Sequence, residues 1–188
     1  MSNNEVEIQI KHMIQQGLTD GDKLLAIFDQ AEPIPCEFMF GQWRGAEIKT
    51  GHPIEGLLEL SKWYGKVFKD KEHVYPLIFL DERKGILFAG DPKHIPLNEH
   101  VGVFQKVGKL MPLATKVLKT YESKARARMI EFRGKSSATM VYDEKPINDH
   151  FRKISENMVL GIMDLKSIAQ PYFFILERDD QSTYVLDL

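Results

Sequence analysis

The 188-residue chain has a single cysteine, Cys36, which excludes an intramolecular disulfide and leaves stability to the core. Long hydrophobic runs are missing too. No stretch approaches the roughly 20 apolar residues of a membrane-crossing helix, so no integral membrane segment is expected. Residues 1–7 lack the basic-then-apolar pattern of a secretory leader, and together with the lone thiol this leads to the expectation of a cytoplasmic protein. Neither sign of charge prevails. Charged residues make up 28% and the formal net charge is -2, which argues against nucleic acid or an anionic membrane surface as a partner. The six histidines and one cysteine show no His-X-X-X-His or Cys-X-X-Cys spacing, so no metal site is expected. There is also no Gly-X-Ser-X-Gly elbow, phosphate-cradling glycine loop or dinucleotide fingerprint, and no cofactor is expected.

What the chain does have is pattern. Val6, Ile10, Met13 and Ile14 recur at spacings of three and four over residues 4–16, which predicts an amphipathic helix ending at Gly17. The oxygens of Thr19, Asp20 and Asp22, followed by Leu24, Leu25, Ile27 and Phe28, predict a second helix stopped by Pro33 and Pro35. Residues 38–50 read as a strand interrupted by Gly41-Gln42-Trp43-Arg44-Gly45. Glycine within a strand marks a bend, a bulge or the close approach of other atoms, so this pentapeptide places backbone against a large ring. In a period-two reading Trp43 and Glu47 face one way, and Gln42, Arg44, Ala46 and Ile48 the other.

Ile54, Leu57, Leu58, Leu60, Trp63, Tyr64 and Phe68 follow helical spacing after Pro53, which predicts a helix lying on a sheet. Apolar runs at 74–80 and 86–89, separated by a loop ending in Gly85, predict a hairpin. A proline-punctuated linker at 92–101 leads to a helical pattern between Gly102 and Tyr121, split at Pro112. Beyond it, strands are predicted at 125–134, 137–142, 149–154, 159–166 and 172–178, with Gly134 and Gly161 as turns or bulges. The total is about eight strands, the number at which a small barrel closes around side chains or one small ligand.

The most reactive-looking string is Asp149-His150-Phe151-Arg152. Neighbours in a strand face opposite sides, so Asp149 goes with Phe151 and His150 with Arg152. The second pair forms either a polar patch with Tyr142 or Asp164 or an anchor for an anionic head group, since the arginine fork matches carboxylate and phosphate. His52, before Pro53, either caps its turn or touches a ligand. Trp43, Trp63, Tyr64 and Phe68 offer the wall of an apolar pocket. Cys36, between Pro35 and Glu37, has no neighbouring cation to activate it and reads as an inert thiol.

Gly41-Gln42-Trp43-Arg44-Gly45, Thr50-Gly51-His52-Pro53, Trp63-Tyr64-Gly65-Lys66 and Tyr75-Pro76-Leu77 together resemble the GXWXG domain. Arg133-Gly134, the segments 137–143 and 146–153, Gly161-Ile162-Met163-Asp164 and 173–178 are similar to the domain of unknown function that usually accompanies it. The resemblance implies family membership and supplies no settled activity. A second resemblance is to the calycin barrels, whose first strand carries Gly-X-Trp and whose late strand offers an arginine to pack on it, here Trp43 and Arg178. The expected fold is α+β, mainly β: a calycin-like antiparallel barrel with N-terminal and inserted helices. Residues 1–36 would form the helices, 37–100 the GXWXG module, and 101–188 a meander completing the same barrel. The expected function is binding of a lipid or other small apolar or amphiphilic ligand. Trp43, His52, Trp63, Tyr64, Phe68, Tyr142, His150 and Arg152 are the candidate contacts. The alternative is an enzyme acting on a small amphiphilic substrate with His150 or His52 as acid or base.

Overall fold

Strand β1 (Gly41–Ile48) pairs antiparallel with β2 (Trp63–Phe68) on one side and with the long β10 (Ile168–Arg178) on the other, in a computed structural model that describes residues 3–95 and 118–188. From β2 the sheet continues to β3 (Val74–Asp81). From β10 it runs through β9 (Met158–Leu165), β8 (Ile147–Ser155) and β7 (Lys135–Tyr142) to β6 (Ala125–Phe132). The ends meet where Val74 pairs with Ala125, and the seam is fastened by the Lys124 N–H on the Val74 carbonyl (3.1 Å) and the Ala127 N–H on the Lys71 carbonyl (2.7 Å). The result is a closed antiparallel barrel of eight strands, the mainly-β fold expected from the sequence. Beyond the seam, the far half of β3 stays paired with β2 and on its other edge pairs with β4 (Ile86–Gly90), which also carries β5 (Lys119–Thr120) and, in parallel, β11 (Val185–Asp187).

Helices α1 (Asn3–Gln16) and α2 (Gly21–Gln30) lie on the outside. Asp20 caps α2 by accepting the Asp22 N–H at 2.9 Å, and Gly17 ends α1 in the left-handed region. Their apolar faces, with Ile10, Leu24 and Phe28 fully buried, cover Ile48, Ile154, Leu160, Ile162, Phe173 and Ile175 on the outer surface of β1 and β8–β10. These strands are therefore buried on both faces. Truncation of a side chain such as Phe28 to alanine would cost about 3–5 kcal/mol.

Two expectations are corrected. Only Leu57–Leu60 of the stretch 54–68 is helical (α3), and Trp63–Phe68 is a strand with every residue buried. Lys62, at φ 61°, breaks the helix, and a strand covered on both sides shows no alternation to distinguish it from a helix by period. Gly161 is no turn: it sits mid-strand in β9 opposite Phe151 and Phe174. Gly134 does turn the chain, following Arg133 (φ 50°) at φ 75° in the two-residue connection of β6 and β7. The helical pattern at 102–121 falls almost wholly outside the described residues.

Candidate functional site

Bulges place a cation and an indole on the same inner wall. Trp63 and Lys66 are three residues apart and would face opposite ways in a regular strand. The register of β2 against β3 shifts between Trp63 and Gly65 and again between Gly65 and Val67, and both side chains end up inside. On the facing strand Pro76 has no N–H for the ladder, and its carbonyl accepts from Lys66 Nζ at 3.1 Å. Across the interior, β8 turns Ile147, Asp149 and Phe151 inward. Lys66 Nζ and Asp149 Oδ2 stand 2.9 Å apart, with side chains 4% and 2% exposed.

Three rings surround this ion pair. Their centroids lie 5.2 Å (Phe174), 5.5 Å (Trp63) and 5.8 Å (Tyr142) from Lys66 Nζ, distances at which ring quadrupoles favour a cation. Glycines hold two of the rings against the wall. A Cβ on Gly45 would lie 2.0 Å from Trp63 Cη2, and one on Gly161 would lie 2.4 Å from Phe174 Cζ. Trp63 and Phe174 meet edge to face at 6.2 Å. Burial pushes the Asp149 carboxyl above the ordinary carboxylate range, against the pull of the Lys66 ammonium. Burial also raises the Tyr142 hydroxyl well above its usual value, and the Asp149 charge adds to it.

Polar groups continue toward the C-terminal end of β1. Tyr172 donates to Glu47 Oε2 at 2.7 Å, and burial raises both groups. His52 packs edge-on against Tyr172 at 5.3 Å. Its Nδ1 accepts the Ile54 N–H at 3.2 Å, which caps the turn and puts the ring proton on Nε2. Two buried polar atoms here have no hydrogen-bond partner among the described residues, Asp149 Oδ1 and Trp63 Nε1, whereas His52 also interacts with the Gln170 backbone. No cluster of three or more metal-ligating side chains occurs among the described residues. Outside, a groove of about 580 Å³ between the end of α1 and the β1–α3–β2 connection is bordered by Gly45, Glu47 and Trp63.

The other candidates are dispersed. Trp43 is fully buried at the opposite end, where its Nε1 donates to the Met39 carbonyl at 2.7 Å and the Arg178 guanidinium stacks on its ring at 4.2 Å. Arg178 also ties the Phe38 and Phe40 carbonyls, at 2.6 and 2.9 Å, so indole and guanidinium plug the barrel where the chain enters β1. Phe68 is inside against Phe151. Tyr64 is not a wall residue. It faces outward, where its hydroxyl binds Asp179 and Ser182 and its ring meets Tyr184, fastening the C-terminal segment. His150 and Arg152 also point outward, under α2, because alternation in β8 sends them to the face opposite Asp149. His150 stacks on Phe132 at 3.9 Å and bonds the Thr139 hydroxyl at 2.9 Å, and burial followed by the Arg152 charge lowers its pKa to about 4. Arg152 stacks on Phe28, and its two terminal nitrogens donate to the Phe132, Phe151 and Lys135 carbonyls, while its Nε and the His150 Nε2 have no hydrogen-bond partner among the described residues.

Fold and interior together define a class: a closed antiparallel barrel with an arginine-backed tryptophan plugging one end and a buried ion pair caged by rings within. The family described as GXWXG protein matches residues 26–84, and Domain of unknown function (DUF4334) matches residues 123–178. The chain belongs to this GXWXG family and carries both the N-terminal module and its companion domain. A solved structure described as "Crystal structure of protein from Thermomonospora curvata" is 29% identical, with 93% of this chain and 99% of that chain covered and a TM-score of 0.70. No curated protein matches.

Proposed function

We propose that the chain binds a small, largely apolar molecule inside the barrel, with a polar end of the ligand at the Lys66–Asp149 pair. The observation that carries this reading is Asp149 Oδ1, a buried carboxylate oxygen with no partner among the described residues. Native proteins satisfy nearly all buried polar groups, and an ionised one is the costliest to leave open. A guest that supplies the missing partner removes that cost. Trp63, Tyr142, Phe174, Met140 and Met163 supply an apolar and adaptable surround. An eight-stranded barrel is of the size that holds one small ligand. The Trp43–Arg178 stack matches the feature by which the chain resembles the ligand-carrying calycins, and the unpaired, buried Cys36 accords with a reducing, cytoplasmic setting. Of the two histidines open to the enzymatic alternative, His150 lies outside the barrel against Phe132 and Thr139, which leaves His52, packed on Tyr172 with its Nδ1 taken by the Ile54 N–H.

Native mass spectrometry of detergent-free protein, together with titration of the neutral fluorescent probe N-phenyl-1-naphthylamine, tests the proposal. A co-purified apolar adduct or saturable probe binding is expected. A clean apo mass with no probe binding would overturn it.

A further inference from the structure

The charges of Lys66 and Asp149 cancel inside the barrel, and that balance restricts what can join them. The ammonium already donates to Asp149 Oδ2 at 2.9 Å and to the Pro76 carbonyl at 3.1 Å, and it is otherwise faced by rings. Two buried atoms of its neighbours remain open: Asp149 Oδ1, on the carboxylate that meets the ammonium, and Trp63 Nε1, on the ring whose centroid is 5.5 Å from it. The first only accepts a hydrogen bond and the second only donates one. A carboxylate guest would add a second anion next to Asp149, and an ammonium guest a second cation next to Lys66. Either leaves a net charge in an interior that solvates charge poorly. A pure hydrocarbon leaves both open atoms unsatisfied. An uncharged head that both donates and accepts satisfies the pair and keeps the interior neutral.

Resting on the binding reading above, we infer that the ligand is an uncharged amphiphile with a hydroxyl or primary amide head that donates to Asp149 Oδ1 and accepts from Trp63 Nε1. The barrel then selects against fatty-acid carboxylates and alkylamines of the same chain length. Competition for N-phenyl-1-naphthylamine by 1-decanol, decanamide, decanoate and decylamine at pH 7.5 tests this on the unaltered protein. The alcohol and the amide are expected to compete at least about tenfold better than the charged compounds, the discrimination expected when a buried polar group gains or loses its partner. Trp63→Phe, which removes the indole donor and keeps a smaller aromatic ring on the wall, should cut the 1-decanol advantage several-fold. The paired substitution Lys66→Met with Asp149→Leu, which keeps neutrality, should erase it. Probe binding with decanoate or decylamine matching 1-decanol would overturn the head-group inference while leaving the binding reading standing. Absence of binding by the probe and all four competitors would overturn both.

Discussion

Removing the Lys66 ammonium strands a carboxylate inside the barrel, and the consequence can be worked from geometry. At the 2.9 Å separation of Lys66 and Asp149, an effective dielectric near 20 gives an attraction of roughly 6 kcal/mol. Each ion gave up several kcal/mol of hydration on burial, so the intact pair sits near break-even and the loss falls on whichever charge is left alone. Lys66→Met should therefore lower the unfolding free energy by about 3–5 kcal/mol at pH 8. Adding Asp149→Leu should recover most of it, because a neutral, apolar pair carries no hydration debt. The pH dependence follows from the carboxyl. Burial already holds Asp149 above its ordinary range, and without Lys66 it rises further. A carboxyl whose folded pKa exceeds its unfolded value contributes stability that is full below the unfolded value and is lost as pH rises through the folded one. The deficit of Lys66→Met relative to the parent should thus shrink from pH 8 to pH 5, and titrations common to both proteins, such as that of His150, cancel in the difference. Urea unfolding followed by tryptophan fluorescence at the two pH values measures it. A Lys66→Met protein as stable as the parent at pH 8, or a double variant worse than the single one, would refute the reasoning.

Three further outcomes are expected. Arg178→Ala removes the guanidinium from the Trp43 ring and from two carbonyls, and should cost about 2–3 kcal/mol in chemical unfolding, with Arg178→Lys recovering only part. Gly161→Ala places a Cβ 2.4 Å from Phe174 Cζ, so it should destabilise by about 1–3 kcal/mol through overpacking, read as a lowered thermal midpoint. His150, with its pKa lowered to about 4, contributes stability that is present above its unfolded value near 6.5 and is lost as pH falls toward 4. Proton NMR should find the ring neutral at pH 6, and a ring titrating near 6.5 would contradict its buried stack on Phe132.

Much of the barrel was legible because its strands announce themselves by composition and turn chemistry. The meander from β6 to β10, the Ile86 hairpin strand and both long helices follow the expected order. The pentapeptide gave Trp43 and its inward direction, and alternation around Asp149 correctly separated that carboxylate from His150 and Arg152. An acid sharing a strand face with Ile147 and Phe151 is a buried acid in need of a cation, whereas His150 and Arg152 looked reactive only as letters in a string. Lys66 went unrecognised because its inward direction depends on a register slip at Gly65 and Pro76, a feature of paired strands that no single-strand period records. Trp63 and Phe68 were assigned the right burial on the wrong element, since a strand covered on both faces leaves no alternation to read. Glu47 and Tyr172 are joined by a hydrogen bond between β1 and β10, 125 positions apart in sequence, and only the closed sheet brings them together.

The two tryptophans allow a direct test of ligand binding at the proposed contacts, Asp149 Oδ1 and Trp63 Nε1. The Trp43 indole proton is already held by the Met39 carbonyl at 2.7 Å, while that of Trp63 has no partner among the described residues. In ¹⁵N-resolved NMR of the protein titrated with 1-decanol, the Trp63 indole signal, assigned through its disappearance in Trp63→Phe, should move downfield and saturate while that of Trp43 stays in place. A Trp63 signal that holds its position throughout the titration, or a Trp43 signal that moves in its stead, would contradict the account.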